Sequence, residues 1–80
     1  MKYVCLLQSI AYPDKRYIGI TNDLERRLAD QNSGRSTHTS RFMPWEVVVS
    51  VCFVDDDRAV RFERYLKIGS GHAFARKHLW

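Results

Sequence analysis

Cysteine, proline and long apolar runs are all scarce in this sequence. Two cysteines and two prolines occur among 80 residues. Two cysteines are too few for a disulfide framework or for a zinc site. No apolar run approaches the roughly 20 residues that a membrane-spanning helix needs, so no membrane partner is expected. The segment MKYVCLLQSIAYPD lacks the long apolar stretch and the cleavage site of a signal peptide. We therefore expect a cytoplasmic protein.

The two cysteines, Cys5 and Cys52, both lie in apolar segments with the composition of strands. We expect two buried thiols that pack as small hydrophobic side chains. A single disulfide between neighbouring strands is the alternative.

Positive charge exceeds negative charge, with a net charge of +4 and an isoelectric point near 9.4. Such an excess is typical of proteins with a polyanionic partner, although many basic domains bind no nucleic acid. The 45% of hydrophobic and 28% of charged residues are typical of a globular chain. At this length, we expect one domain spanning residues 1–80.

Three segments have the composition of β-strands: residues 2–9, 16–20 and 45–54. About six residues separate the first two, which favours an antiparallel hairpin. The third segment is almost continuously apolar, and this predicts that both of its faces are covered.

Two main helices are predicted by capping residues and by apolar side chains spaced for one face. The first spans residues 23–32 and the second spans residues 56–68. Residues 69–71, Gly-Ser-Gly, are expected to end the second helix, and residues 72–80 to form a short third helix or tail. Residues 35–44 have neither the helical nor the strand periodicity, so we expect a loop there.

Four residues could together support phosphodiester hydrolysis: Tyr17, Arg27, His38 and Glu63. A tyrosine beside a cation can orient or deprotonate a water molecule. An arginine neutralises phosphate oxygens through its fork of donors. A carboxylate can hold one divalent cation, whose remaining ligands come from the phosphate and water.

Glu63 stands out because it falls on the apolar stripe of the second predicted helix, near Val60 and Leu66. A carboxylate facing the core is unfavourable unless something pairs with it. It could form a salt bridge with an arginine of the first helix, or extend to solvent at the edge of the stripe. It could also bind a metal ion or act as an acid.

In the order of these motifs the chain resembles the GIY-YIG nuclease superfamily, and in particular its small single-domain bacterial group of predicted endonucleases. The matching segments are YVCLLQS, PDKRYIGITNDLERRL, NSGRSTHT, PWE, RFERYLKIGSG and HAFARKH. The resemblance implies an α+β (α/β) fold. Its three-stranded antiparallel sheet would have the first strand in the centre, flanked by two main helices and a short C-terminal helix.

The resemblance also implies an activity and assigns roles to single residues. The implied enzyme is a metal-dependent endonuclease with one Mg²⁺ or Mn²⁺ ion, which leaves a 5′-phosphate and a 3′-hydroxyl on DNA. Tyr17 would stand near the attacking water, and Gly19 would let the chain turn toward the site. Arg27 would stabilise the transition state and His38 would match a loop histidine. Glu63 would be the metal ligand.

Two catalytic positions depart from the family pattern. Cys5 stands where most members have a tyrosine, and Gln31 stands where histidine or tyrosine is common. Cys5 has no phenol hydroxyl, and Gln31 takes no proton at neutral pH. Three functions stay open: an active nuclease, a catalytically weakened nucleic-acid-binding module, and a protein-protein interaction domain on the same scaffold.

The expected partner is nucleic acid, and DNA by the resemblance. Basic side chains near the motifs are predicted to contact its phosphates, since phosphate contacts dominate such binding. The six predicted contacts are Lys15, Arg16, Arg26, Arg35, Arg41 and Lys67.

Overall fold

A strand buried on both faces forms the centre of the computed structural model, which describes residues 1–80. β1 (Lys2–Ser9) lies between β2 (Arg16–Thr21) and β3 (Trp45–Phe53), and both pairings are antiparallel. Val4 to Leu7 have no exposed surface. The prediction of a three-stranded antiparallel sheet with the first strand central is confirmed.

Three helices cover this sheet. α1 (Leu24–Gln31) packs on one face, while α2 (Asp56–Leu66) and α3 (Gly69–His78) pack on the other. The loop before β3 contains one 3₁₀ turn, Ser40–Phe42. No helix has the length and apolarity that a membrane crossing requires.

Side chains of β1 alternate between two hydrophobic clusters, because successive residues of a strand point to opposite faces. Val4 and Leu6 pack with residues of α2 and α3, including Ala59, Leu66 and Ala75. Cys5 and Leu7 pack with Trp45, and with two leucines of α1. The domain therefore has two small cores that share one strand.

Both main helices begin at aspartates that cap backbone N–H groups, as predicted. Asp23 Oδ1 accepts a hydrogen bond from the Arg26 N–H at 3.1 Å, and Asp55 Oδ1 accepts from Asp57 and Arg58. A side-chain cap of this kind is worth about 1 kcal/mol and fixes where the helix starts. The start of α1 determines which of its side chains face β2.

β3 differs from its prediction, because the face toward α1 is covered along only part of its length. Burial alternates along the strand, and Glu46, Ser50 and Cys52 are exposed. α1 has eight residues, so it covers the end of β3 near Trp45 and leaves the rest of that face open. A β-bulge also leaves Val48 without a partner in the ladder.

The prediction of two buried thiols is right for one cysteine. Cys5 has no exposed surface, whereas Cys52 lies on the open part of β3, and both are free. No disulfide joins the strands. The prediction for Cys52 was wrong because its strand lacks a helix above that face.

The boundary between the last two helices also differs from prediction. α2 ends at Leu66, and Gly69 begins α3 instead of ending α2. Gly69 has a φ of +50°, a left-handed conformation that glycine adopts readily and that redirects the chain between the helices. Gly71 lies where α3 meets α2, and a Cβ there would overlap the carbonyl group of Tyr65.

Replacement of Gly71 with alanine should therefore destabilise the fold. The group that the new methyl would meet is backbone, which cannot rotate away, so the helices would have to separate. We expect the free energy of unfolding, measured in denaturant melts, to fall by about 3 kcal/mol. Ser70→Ala, at an exposed neighbouring position, is the control and should change stability by less than about 0.5 kcal/mol. Equal stability of the two variants would contradict the close contact of α3 with α2.

Candidate functional site

A tyrosine and an arginine meet over the backbone of a glycine on β2. Tyr17 and Gly19 are two residues apart on this strand, so they share one face. A Cβ at Gly19 would lie 3.1 Å from Tyr17 Cε2 and 3.4 Å from Arg27 Nη2. The absence of a side chain at Gly19 lets the phenol ring and the guanidinium both rest against the strand.

Arg27 reaches this point from α1, and its guanidinium is only partly satisfied. Its Nη2 donates a hydrogen bond to the Ile20 carbonyl at 3.0 Å, and its guanidinium carbon lies 5.9 Å from the centre of the Tyr17 ring. Its Nε is buried without a hydrogen-bond partner, and no carboxylate lies within ion-pair distance. A partly buried cation without a paired carboxylate is suited to bind an anion.

Cys5 lies behind this pair rather than at the surface. It faces Gly19 across the β1 and β2 pairing, and its Sγ donates to the Gly19 carbonyl over 3.5 Å. Burial raises the pKa of the Cys5 thiol above 9.0, its ordinary value, while the Arg27 charge and the hydrogen bond to Gly19 act in the opposite direction. The thiol is neutral at physiological pH and has no surface that a substrate could touch.

The loop and the end of α1 place two further candidates differently. Gln31 is 8% exposed, and its Nε2 has no hydrogen-bond partner. His38 is exposed and lines a cavity together with Tyr17 and Arg41. The structure thus brings His38 to the same cavity as Tyr17 and leaves Gln31 almost wholly buried.

Asn32 fixes the junction between α1 and β3, which no sequence signal indicated. Its side-chain Nδ2 donates to the Trp45 carbonyl at 3.0 Å, and its Oδ1 accepts from the Trp45 N–H at 2.6 Å. The Trp45 indole N–H in turn donates to the Thr39 carbonyl at 3.1 Å. These bonds hold the loop that carries His38 against the start of β3.

Glu63 forms an ion pair, but with a different partner from the one considered above. Lys67, one turn further along α2, places its Nζ 2.6 Å from Glu63 Oε2. The interpretation of a bridge to an arginine of the first helix was wrong, because the partner lies on the same helix at the favourable i,i+4 spacing. The Glu63 side chain is 15% exposed.

The residues present fit a metal ion with a single protein ligand. No group of three or more histidine, cysteine, aspartate or glutamate side chains is arranged to hold a metal. Mg²⁺ commonly takes one or two carboxylates and completes its shell with phosphate oxygens and water. Glu63 can serve in this way if Lys67 turns aside, and Lys67 is free to move because its side chain is 48% exposed.

Two cavities open along β2, and together we name them the β2 groove. The α3 cavity has a volume of about 360 Å³ and the loop cavity about 320 Å³. Arg16 and Tyr17 line both, so the tyrosine stands between them, and no carboxylate lines either one. The basic side chains and histidines of the groove are Lys15, Arg16, His38, Arg41, Lys67, His72 and Arg76.

The six basic residues predicted to contact nucleic acid do not all lie in this groove. Arg26 lines a separate cavity that also contains Arg27 and two aspartates. Arg35 is exposed and lies 3.8 Å from Asp30. The four that line the β2 groove are Lys15, Arg16, Arg41 and Lys67.

Three residues of the α3 cavity were missed by sequence reasoning: His72, Arg76 and Trp80. The first two are four residues apart and share a face of α3, a spacing that the sequence does reveal. The guanidinium carbon of Arg16 lies 5.0 Å from the centre of the Trp80 ring. No local signal showed that α3 would bring this face to β2.

The fold and this site define a small α+β domain that carries a tyrosine and a glycine on an edge strand and an arginine on the next helix. The model of the GIY-YIG catalytic domain matches residues 1–73, so the chain belongs to the GIY-YIG family. Membership of this family implies a nuclease-type function.

A solved structure is similar to this chain over nearly its whole length. It is the solution NMR structure of a UPF0213 protein from Bacillus halodurans, which has 24% sequence identity and a TM-score of 0.57. The match covers 99% of this chain and 87% of that chain. At this identity the likeness shows the shared fold. Among curated proteins, none matches this chain in sequence.

The raised pKa of Cys5 predicts a loss of stability at alkaline pH. The folded state binds the thiol proton more tightly than the unfolded state, so this stabilisation is fully present below the unfolded pKa. It is lost as the pH rises through the folded pKa, which lies above 9.0. In thermal melts from about pH 8 to about pH 10.5, wild type should lose more stability than Cys5→Ala.

Cys52→Ala is the control for this comparison, because its thiol is exposed. Its stability should follow the wild-type curve across the same pH range. Parallel pH curves for wild type and Cys5→Ala would show that the buried thiol contributes nothing to the alkaline transition.

Proposed function

We propose that this protein is a metal-dependent endonuclease that hydrolyses phosphodiester bonds of DNA and leaves 5′-phosphate and 3′-hydroxyl ends. The observation that carries the proposal is the meeting of Tyr17 and Arg27 over Gly19, where Tyr17 lines a basic groove without carboxylates. We also propose a cytoplasmic location, with which the two free cysteines agree.

Arg27 would stabilise the charge that develops during hydrolysis. Attack of water on phosphorus increases the negative charge on the non-bridging oxygens. The guanidinium rests on β2 through its bond to Ile20, so it is held before the substrate arrives. Its charge, which no carboxylate compensates within ion-pair distance, is available to one of these oxygens.

Tyr17 and His38 would handle the attacking water. The phenol hydroxyl orients the water, and His38, which lines the same cavity, accepts its proton. The bond between phosphorus and the 3′-oxygen then breaks, and that oxygen takes a proton from solvent. Gln31 and the neutral thiol of Cys5 take no part in these transfers, because neither accepts a proton at neutral pH.

Glu63 would hold one Mg²⁺ or Mn²⁺ ion. Such an ion supplies electrostatic stabilisation of the phosphate charge when it is bound. Lys67 would then leave the carboxylate and remain in the α3 cavity, which it lines. Before the metal ion binds, the ion pair with Lys67 compensates the charge of the Glu63 carboxylate.

A nucleic-acid-binding module with weakened catalysis is the second candidate, and the burial of Cys5 favours it. The family tyrosine at this position supplies a phenol hydroxyl, whereas Cys5 has no exposed surface and a neutral thiol. Loss of one acid-base group slows an enzyme by about 10²- to 10⁴-fold without weakening binding. An interaction domain that uses Trp45 and Trp80 as its contact surface has less support, since Trp45 is 4% exposed and Trp80 packs against a core cluster.

The test of the proposal is cleavage of labelled single-stranded, duplex and branched DNA with Mg²⁺ or Mn²⁺. Wild type should cut, and Glu63→Gln should cut at least about hundredfold more slowly because it cannot hold the ion. The cleavage rate of Arg27→Ala should fall by about 10²- to 10³-fold, because this variant lacks the guanidinium that stabilises the transition state. The cleavage rate of Tyr17→Phe, which lacks one hydroxyl, should fall by a similar factor, while its affinity for DNA stays the same.

Matched controls are Arg64→Ala, next to Glu63 on the exposed side of α2, and Glu46→Gln, which changes an exposed carboxylate of β3. Both should cut at the wild-type rate, and thermal melts should show that every variant is folded. Equal rates for wild type and Glu63→Gln would refute the metal role. Tight, salt-dependent binding without cleavage by wild type would favour the binding module.

A further inference from the structure

The α3 cavity holds more positive charge than a single phosphate would require. Arg16 and Arg76 line it, and neither has a carboxylate within ion-pair distance. Lys67 also lines it but is paired with Glu63 at 2.6 Å, and His72 is a further donor. A cavity with two unpaired guanidinium groups and no acidic lining residue attracts anions, and phosphate above all.

Arg16 is held in position before any ligand binds. Its guanidinium carbon lies 5.0 Å from the centre of the Trp80 ring, within the range of a cation–π contact. Trp80 itself packs against the core cluster, and its backbone N–H donates to the Ala75 carbonyl at 2.9 Å. A guanidinium supported in this way loses little further freedom when it binds an anion.

The position of Tyr17 connects this cavity to the proposed chemistry. Tyr17 lines both cavities of the β2 groove, and Arg16 lies beside it in both. A nucleic-acid strand whose reacting phosphate lies at Tyr17 therefore continues into the α3 cavity on one side. The next phosphate of the strand would meet the unpaired guanidinium groups of Arg16 and Arg76 there.

We propose that the α3 cavity is a subsite for the phosphate next to the scissile bond, bound by Arg16 and Arg76. The ligand is a phosphodiester of a polynucleotide strand, and free phosphate shares its chemistry. This inference rests on the proposed function for the place of the scissile bond. Binding in the subsite needs neither a metal ion nor cleavage, so it can be tested separately.

The groove contains one tryptophan in each cavity, and these provide the measurement. Trp80 lines the α3 cavity and Trp45 lines the loop cavity. Their two indole N–H signals in a ¹⁵N–¹H correlation spectrum report on the two cavities independently, with Trp80→Phe giving the assignment. The probes are a short thymidine oligonucleotide and, separately, inorganic phosphate, both in the presence of EDTA.

We expect the oligonucleotide to shift the Trp80 indole signal. Arg76→Ala should weaken its binding on the order of tenfold, because one charge-assisted contact is lost. The slope of log affinity against log salt should also fall by about 0.7, the value for one contact to a single strand. Lys77→Ala, the exposed neighbour on α3 that does not line the cavity, should bind as wild type.

Three results would overturn the subsite. One is a shift confined to the Trp45 signal, and another is an Arg76→Ala variant that binds as tightly as wild type. The third is inorganic phosphate binding as tightly as the oligonucleotide, which would make the cavity a general phosphate site. A Trp80 shift in a protein that cuts no DNA would support the subsite and refute the nuclease. Cleavage of DNA without a Trp80 shift would support the nuclease and refute the subsite.

Discussion

The constraint on which this structure depends is that one strand, β1, must be covered on both faces by a chain of 80 residues. α1 shields one face and the pair α2 and α3 shields the other, so the domain has three thin layers. β2 is an edge strand, and no other strand of the sheet pairs with its outer edge. The edge strand is therefore where side chains from both helical layers can meet, and the candidate site lies there because Tyr17 is reached from both sides.

The parts of this arrangement that could be predicted from sequence are those set by near neighbours along the chain. Strand composition and the aspartate caps place β1, β2 and the helix starts within a residue or two. The spacing of Tyr17 and Gly19 fixes their common face, and the cap at Asp23 turns Arg27 toward β2. These features depend on backbone periodicity and on hydrogen bonds that span four residues or fewer.

The parts that could not be predicted depend on contacts between distant residues. The open face of β3 follows from the short length of α1, which a run of valines cannot reveal. The partner of Glu63 was misjudged because an ion pair within α2 and one to α1 look equally possible in sequence. The α3 cavity joins Arg16 near one end of the chain to Trp80 near the other, so no local pattern encodes it.

The departure at Cys5 changes the balance between binding and chemistry at this site. A tyrosine there would bring a phenol hydroxyl close to Arg27, and the thiol that stands in its place is buried. Both groups are neutral at physiological pH, so the charge that Arg27 offers to a phosphate is the same with either one. The same difference removes one group that could move a proton, which under the proposed function slows hydrolysis. For a nuclease of the proposed kind, we expect the chemical step rather than substrate capture to limit turnover, because the groove keeps its cations while the site keeps fewer proton acceptors.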